Sequence, residues 1–133
     1  MILLDTHVIL WLESGSEQLG RRSRKIIDGA FAEADLAASS ISFWEIAMLT
    51  LRKRLSLSAP PEQLRADLLT NGLLEIPLTG DIAIAATSLE HLHADPADRF
   101  IIATAVATTA TLVTADTRIL DWKGRLKRHD ARI

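Results

Sequence analysis

The chain alternates short apolar runs with longer amphipathic segments. Four apolar runs are typical of strands, and a fifth favours an edge strand: residues 2–4, 36–38, 73–76, 111–114 and 131–133. The first and fourth runs show no alternation of apolar and polar residues, as expected for strands that are covered on both faces. The pattern therefore predicts a buried sheet.

Helical periodicity separates these runs. It predicts helices over residues 42–55, 60–69, 79–90 and 96–110. The first of these segments has Trp44, Ala47, Met48 and Leu51 on one face, which the pattern predicts to be the apolar face of the helix. Strands that alternate with helices predict a three-layer α/β/α sandwich with a central, mostly parallel sheet of four to five strands. No linker or repeat interrupts the pattern, so we expect one domain over residues 1–133.

Composition and charge exclude several classes of function. The chain has no cysteine, which excludes disulfides, thiolate metal sites and a cysteine nucleophile. It shows neither a signal-peptide pattern nor an apolar stretch of about 20 residues, so we expect a soluble, cytoplasmic protein. The net charge is −2, but basic residues cluster over 21–25, 52–54 and 118–132. Such patches suit either contacts with nucleic-acid phosphates or solvated helix faces.

Four acidic residues are predicted to meet at one edge of the sheet. In parallel α/β sheets, ligands bind at the carboxyl ends of the strands. Asp5 ends the first strand run and Asp116 follows the fourth, while Glu45 lies in the first turn after the second. Asp98 lies near the start of the helix that precedes the fourth strand, and that helix begins at the same edge.

Carboxylates gathered in this way favour a cation. Two of them about 4 Å apart repel by roughly 4 kcal/mol at an effective dielectric constant near 20. Oxygen ligands without cysteine favour hard ions such as Mg²⁺ or Mn²⁺.

Each acid also has a structural interpretation. Asp95 precedes Pro96, so a helix cap is favoured over metal ligation, and Asp98 is equally suited to stabilise the helix dipole. Asp5 and Asp116 are also suited to cap the helices that follow them. Glu45 lies between Trp44 and Ile46, where a carboxylate needs a partner.

Four motifs occur in order along the chain. They are Leu3-Leu4-Asp5-Thr6-His7, Ser42-Phe43-Trp44-Glu45-Ile46-Ala47, Asp95-Pro96-Ala97-Asp98-Arg99-Phe100-Ile101-Ile102-Ala103-Thr104-Ala105 and Leu112-Val113-Thr114-Ala115-Asp116. Together they resemble the PIN-domain family and, within it, the VapC-type toxins of bacterial toxin–antitoxin pairs. The resemblance spans nearly the whole chain.

The resemblance implies a Mg²⁺- or Mn²⁺-dependent ribonuclease that hydrolyses RNA with one or two ions. It maps the acidic set of the family onto Asp5, Glu45, Asp98 and Asp116. It implies that the hydroxyl of Thr114, and also that of Thr6, supports the site, and Asp95 matches an acid common in the toxin subgroup. It further implies a homodimer and a VapB-type antitoxin whose peptide covers the acidic groove.

Other interpretations remain beside this one. Arg99 either pairs with an acid or grips the scissile phosphate, and the ion pair is favoured. A structural role is favoured for His7, and His91 and His93 are interpreted as solvated loop residues. A haloacid-dehalogenase-like phosphatase needs a second Asp where His7 stands. A non-catalytic module that binds nucleic acid or protein on the same fold is the main alternative.

Overall fold

A five-stranded sheet forms the framework of the computed structural model, which describes residues 1–133. The strands are Ile2–Leu4 (β1), Leu36–Ser39 (β2), Leu74–Ile76 (β3), Thr111–Thr114 (β4) and Lys127–Asp130 (β5). Their order is β3-β2-β1-β4-β5, and every neighbouring pair is parallel. The predicted parallel sheet is confirmed.

Seven helices flank the sheet. They are Thr6–Ser14 (α1), Arg21–Ala32 (α2), Ser40–Leu51 (α3), Pro61–Thr70 (α4), Gly80–Ala86 (α5), Pro96–Thr108 (α6) and Thr117–Leu120 (α7). None of them combines the length and the apolar character that are needed to cross a bilayer.

The alternation of side chains along each strand produces the three layers. Leu4 and Val113 pack in one apolar cluster with residues of α1 and α2 such as Ile9 and Ile27. Their strand neighbours Leu3 and Leu112 point to the opposite face and pack against α6, in a second cluster. The central strands are thus buried on both faces, which confirms the α/β/α sandwich.

The edge strand lies four residues earlier than predicted. β5 consists of the charged segment Lys127–Asp130, whereas residues 131–133 form no strand. The backbone of these last residues instead contacts the start of α2, because Gly20 N–H donates to the Ala131 carbonyl and Arg22 N–H to the Ile133 carbonyl. Charged side chains are common on exposed edge strands, which is why β5 lacks an apolar signal.

Helix α3 presents a different face to the core than its apolar pattern predicted. Trp44 is 55% exposed and Leu51 is 84% exposed, whereas Ser42 and Ile46 are fully buried. The helix also ends at Leu51 and not at residue 55. The predicted apolar face is therefore a surface, and the core face is the one that carries Ser42 and Ile46.

Helix α5 is shorter than predicted. It ends at Ala86, while the pattern predicted a helix up to residue 90. The carbonyl groups of Ala86 and Leu89 accept hydrogen bonds from the Arg99 side chain. The Ala86 carbonyl is thereby satisfied without a further helical turn, and an irregular segment leads to α6.

Candidate functional site

Two of the predicted acids lie just beyond the ends of central strands. Asp5 follows β1 and caps α1, its Oδ1 accepting from Thr6 N–H at 2.8 Å. Asp116 lies two residues beyond β4 and caps α7 by accepting from Arg118 N–H at 2.9 Å. Because β1 and β4 are parallel neighbours, both carboxylates lie at the same edge of the sheet.

The other two acids reach this edge from helices. Glu45 lies on α3. Asp98 lies in the first turn of α6 and is only 8% exposed. Asp95 caps the same helix by accepting from Ala97 N–H at 3.0 Å, which agrees with the capping interpretation.

All these acids line one cleft of about 200 Å³, which we call the acidic cleft. Ligand atoms of Glu45, Asp95 and Asp98 lie within 4.8 Å of one another. So do ligand atoms of His93, Asp98 and Asp116. Asp98 belongs to both groups and therefore lies at the centre of the potential ligands, while Asp95 contributes to the cleft as well as capping α6.

A buried hydroxyl connects the acids that follow β1 and β4. Thr114 is fully buried, and its Oγ1 donates to Asp5 Oδ2 at 2.7 Å. The same oxygen accepts from Asp116 N–H at 3.1 Å. Thr114 thus orients both acids. The hydroxyl of Thr6 donates to Ser42 Oγ at 3.0 Å and thereby links α1 to α3.

Arg99 lies elsewhere than the sequence suggested. Its guanidinium donates to four backbone carbonyls, those of Ala86, Leu89, Leu92 and His93. It makes no ion pair with an acid and does not line the acidic cleft. The side chain stabilises the irregular segment between α5 and α6, so the favoured ion pair is wrong.

Arg118 is the arginine that borders the acidic cleft, and sequence reasoning did not single it out. Its Nη2 lies 2.8 Å from Asp116 Oδ2 and 3.5 Å from Asp98 Oδ2. The sequence signal was its position two residues after Asp116 at a helix start, which the surrounding basic segment obscured.

Two histidines also face the acids. His93 Nε2 lies 2.6 Å from Asp98 Oδ2, and its Nδ1 is buried with no hydrogen-bond partner. The interpretation of His93 as a solvated loop residue is therefore wrong. His7 Nε2 accepts from Ala115 N–H at 2.9 Å, so the proton of the neutral ring is on Nδ1, which faces Asp5 Oδ2 at 3.8 Å.

The electrostatics of the cleft reflect crowded negative charge. Burial raises the pKa of Asp98 to about 6, and the charges of Asp5 and Asp95 act in the same direction, opposed by His93. Burial likewise raises the pKa of Glu45, assisted by Asp5 and Asp95. Burial alone would raise the pKa of Asp116 too, but hydrogen bonds from Arg118 outweigh it and hold that pKa below its usual range.

These properties fit a hard divalent cation. The donors are mainly carboxylate oxygens, which such ions prefer. Glu45 and Asp98 ionise less readily than usual, mainly because they are buried and also because other carboxylates lie close to them, and a cation would favour their charged forms. The cleft is open to solvent and borders Arg118, so it also has room for an anionic ligand.

The chain is similar to known proteins in sequence. The family model for the PIN domain matches residues 2–124. Ribonuclease VapC22 of Mycobacterium tuberculosis is 33% identical over 123 residues, covering 89% of this chain and 88% of its own.

Solved structures agree in fold. A chain of VapBC2 from Rickettsia felis, crystallised with a DNA fragment of its promoter, has a TM-score of 0.70 at 20% identity and covers 97% of this chain and 98% of its own. A toxin–antitoxin complex from Klebsiella pneumoniae has a TM-score of 0.64 at 22% identity, with 98% of each chain covered.

Proposed function

The chain belongs to the PIN domain family, and we propose that it is a divalent-metal-dependent endoribonuclease acting as the toxin of a toxin–antitoxin pair. The observation that carries the proposal is the convergence of Asp5, Glu45, Asp98 and Asp116 on one cleft from four separate segments. The relative named as a ribonuclease supports RNA as the substrate, which the protein would meet in the cytoplasm.

The acidic residues have distinct tasks in this proposal. Asp5, Glu45, Asp98 and Asp116 hold Mg²⁺ or Mn²⁺, and Thr114 keeps Asp5 and Asp116 in fixed orientations. The bound cation supplies Lewis-acid polarisation and activation of water for hydrolysis of a phosphodiester. Asp95 fixes the start of α6, and thereby the position of Asp98, through its hydrogen bonds to Ala97 and Asp98 N–H.

A protein partner is part of the proposal. Trp44 and Leu51 form an exposed apolar surface on α3, the same helix that carries Glu45 into the cleft. Such a surface suits a VapB-type antitoxin that covers the cleft, and similar folds occur in toxin–antitoxin complexes. We also propose a homodimer, which light scattering of the purified chain tests.

RNA cleavage with matched variants tests the enzymatic proposal. We expect the wild-type protein to cleave RNA in the presence of Mg²⁺ or Mn²⁺ and to lose this activity when a chelator is added. Asp5→Asn or Asp98→Asn should abolish cleavage. Asp130→Asn is the control, because Asp130 is an acid outside the cleft that forms a similar pair with an arginine. Normal cleavage by a folded Asp5→Asn, Asp98→Asn double variant would contradict the proposal.

The main alternative is a non-catalytic module that binds nucleic acid or protein. Such a module binds RNA equally well in chelator and leaves it intact. Sequencing of RNA ends after induced expression, with Asp5→Asn as the reference, identifies the substrate if the ribonuclease proposal holds.

A further inference from the structure

Arg118 contacts two acids that are among the potential metal ligands, Asp98 and Asp116. Its Nε and Nη2 bond both oxygens of Asp116, at 3.2 and 2.8 Å. The same Nη2 lies 3.5 Å from Asp98 Oδ2. One guanidinium therefore contacts two carboxylates that come from different elements, α6 and the segment after β4.

This contact competes with a divalent ion. An ion held by Asp98 and Asp116 needs the carboxylate oxygens that Arg118 engages. The Arg118 side chain is 59% exposed and starts in the first turn of α7, so it has room to turn to solvent once its hydrogen bonds to Asp116 are broken. A divalent ion carries twice the charge of the guanidinium, so it attracts these carboxylates more strongly.

Once displaced, Arg118 remains at the mouth of the cleft. It is the one arginine that lines the cleft, where lysine is absent. A guanidinium is well suited to a phosphate, because its planar fork forms two parallel hydrogen bonds. Arg99 is not available for this task, since its hydrogen bonds are committed to backbone carbonyls.

We propose that Arg118 is an exchangeable counter-ion, which holds Asp98 and Asp116 in the cation-free protein and moves to a phosphate of the RNA when the cation binds. This inference rests on the proposed ribonuclease function. It assigns one residue two successive partners, a carboxylate pair and then a phosphate.

The chain contains a matched control. Arg132 bonds Asp130 two residues before it through Nε at 2.9 Å and Nη2 at 2.8 Å, which is the pairing that Arg118 makes with Asp116. Arg132 does not line the acidic cleft. A substitution there removes the same charge and the same local pair without touching the site.

Two binding measurements on Arg118→Gln and Arg132→Gln test the proposal. Titration with Mn²⁺ alone, followed by electron paramagnetic resonance, gives the cation affinity. Fluorescence anisotropy with a short labelled single-stranded RNA in Ca²⁺, at several salt concentrations and with RNA integrity checked on a gel, gives the RNA affinity.

The expected changes have opposite signs. Arg118→Gln raises the affinity for Mn²⁺ by about two- to fivefold, because the competing cation is gone. It weakens RNA binding by about tenfold and reduces the salt slope by about 0.7, as for the loss of one phosphate contact with a single strand. Arg118→Lys keeps the charge without the fork and restores the salt slope more than the affinity. Arg132→Gln leaves both affinities unchanged.

Failure of this proposal is distinguishable from failure of the proposed function. If the wild type cleaves RNA with Mn²⁺ and Arg118→Gln matches Arg132→Gln in both affinities, the role of Arg118 is refuted and the ribonuclease stands. If the wild type neither binds Mn²⁺ nor cleaves RNA, both the proposed function and the exchange of partners by Arg118 are refuted.

Discussion

His93 Nε2 lies 2.6 Å from Asp98 Oδ2, and this contact joins the irregular segment before α6 to the central acid of the cleft. The histidine ring is only 16% exposed, and its other nitrogen has no partner. A hydrogen bond from the ring to Oδ2 fixes the orientation of the carboxylate. Groups that orient metal ligands in this way strongly affect metal affinity.

Replacement of His93 by Phe tests this orienting role. The ring shape is kept while the donor to Asp98 is lost, so we expect Mn²⁺ affinity and cleavage to fall by about 10- to 100-fold. The variant should still fold, since it also removes the unpartnered Nδ1. Mn²⁺ titration and cleavage rates measure the effect.

His91→Asn is the control for this prediction. His91 is exposed and has a positive φ of 59°, which Asn tolerates. Cleavage and cation affinity should match the wild type. Equal cleavage and Mn²⁺ affinity in His93→Phe and the wild type would show that Asp98 needs no orienting partner.

Asp98→Asn is expected to stabilise the protein in chelator at neutral pH while it abolishes cleavage. Burial and the neighbouring acids raise the pKa of Asp98 to about 6, so the folded state binds the proton more tightly than the unfolded state does. Stability is therefore lost as the pH rises from about 3.8 through about 6, and the neutral amide avoids this loss. The expected gain at pH 7.5 is on the order of 2 kcal/mol.

Urea denaturation of wild type and Asp98→Asn at pH 4 and pH 7.5, both in chelator, measures this difference. The two proteins should nearly coincide at pH 4, where the wild-type carboxyl is protonated. A variant less stable than the wild type at pH 7.5 would mean that Asp98 is not destabilised by its charged neighbours. Added Mn²⁺ should stabilise the wild type more than the variant.

Thr114→Val should impair the site although Val has nearly the same size and shape as Thr. The change removes the hydroxyl that bonds Asp5 Oδ2 and Asp116 N–H, and leaves a carboxylate that is nearly fully buried without its donor. The loss of a hydrogen bond to a charged group costs about 1.5–3 kcal/mol. We expect thermal stability to fall and cleavage by the folded variant to drop at least tenfold.

Thr104→Val controls for the loss of a buried hydroxyl in general. Thr104 is also fully buried, but its Oγ1 donates to the Phe100 carbonyl within its own helix, where the backbone remains paired. The Thr104→Val variant should keep full activity, and its free energy of unfolding should fall by less than about 1 kcal/mol. If the two variants behave alike, Thr114 has no special link to the acids.

Substitution by Ala is expected to have opposite effects on stability at Gly20, which precedes α2, and at Gly29, which lies inside it. A Cβ on Gly20 would lie 2.2 Å from the Ile133 carbonyl carbon, so Gly20→Ala must displace the last residues and should cost about 1–3 kcal/mol. A Cβ on Gly29 meets nothing within 4 Å, and Ala in a helix interior should stabilise by about 0.4–1 kcal/mol. Thermal melts of both variants measure these effects, and a stable Gly20→Ala would show that the end of the chain does not pack on α2.

Local patterns were sufficient to predict most of the framework. Four of the five strand positions and the parallel sheet followed from apolar runs, because strands buried on both faces must be apolar throughout. The cap at Asp95 followed from its place before Pro96, since a cap is a contact between residues two or three apart. Helix α2 was not predicted, because only Ser23 and Ile27 are buried along it.

The four acids at the carboxyl edge were predictable for the same reason. Strand direction and the right-handed crossover place the ends of parallel strands together without any knowledge of side-chain contacts. The sequence by itself therefore determined the parallel sheet and the edge at which Asp5, Glu45, Asp98 and Asp116 meet.

Only the tertiary structure decided which side chains complete the site. Arg99 neighbours an acid in sequence but bonds backbone carbonyls, whereas Arg118 reaches both Asp116 and the distant Asp98. The exposed apolar face of α3 has the same cause, since the packing of a helix depends on what its neighbours leave uncovered. Periodicity predicts the secondary structure of a segment, but the partner of a charged side chain depends on residues far away in the chain.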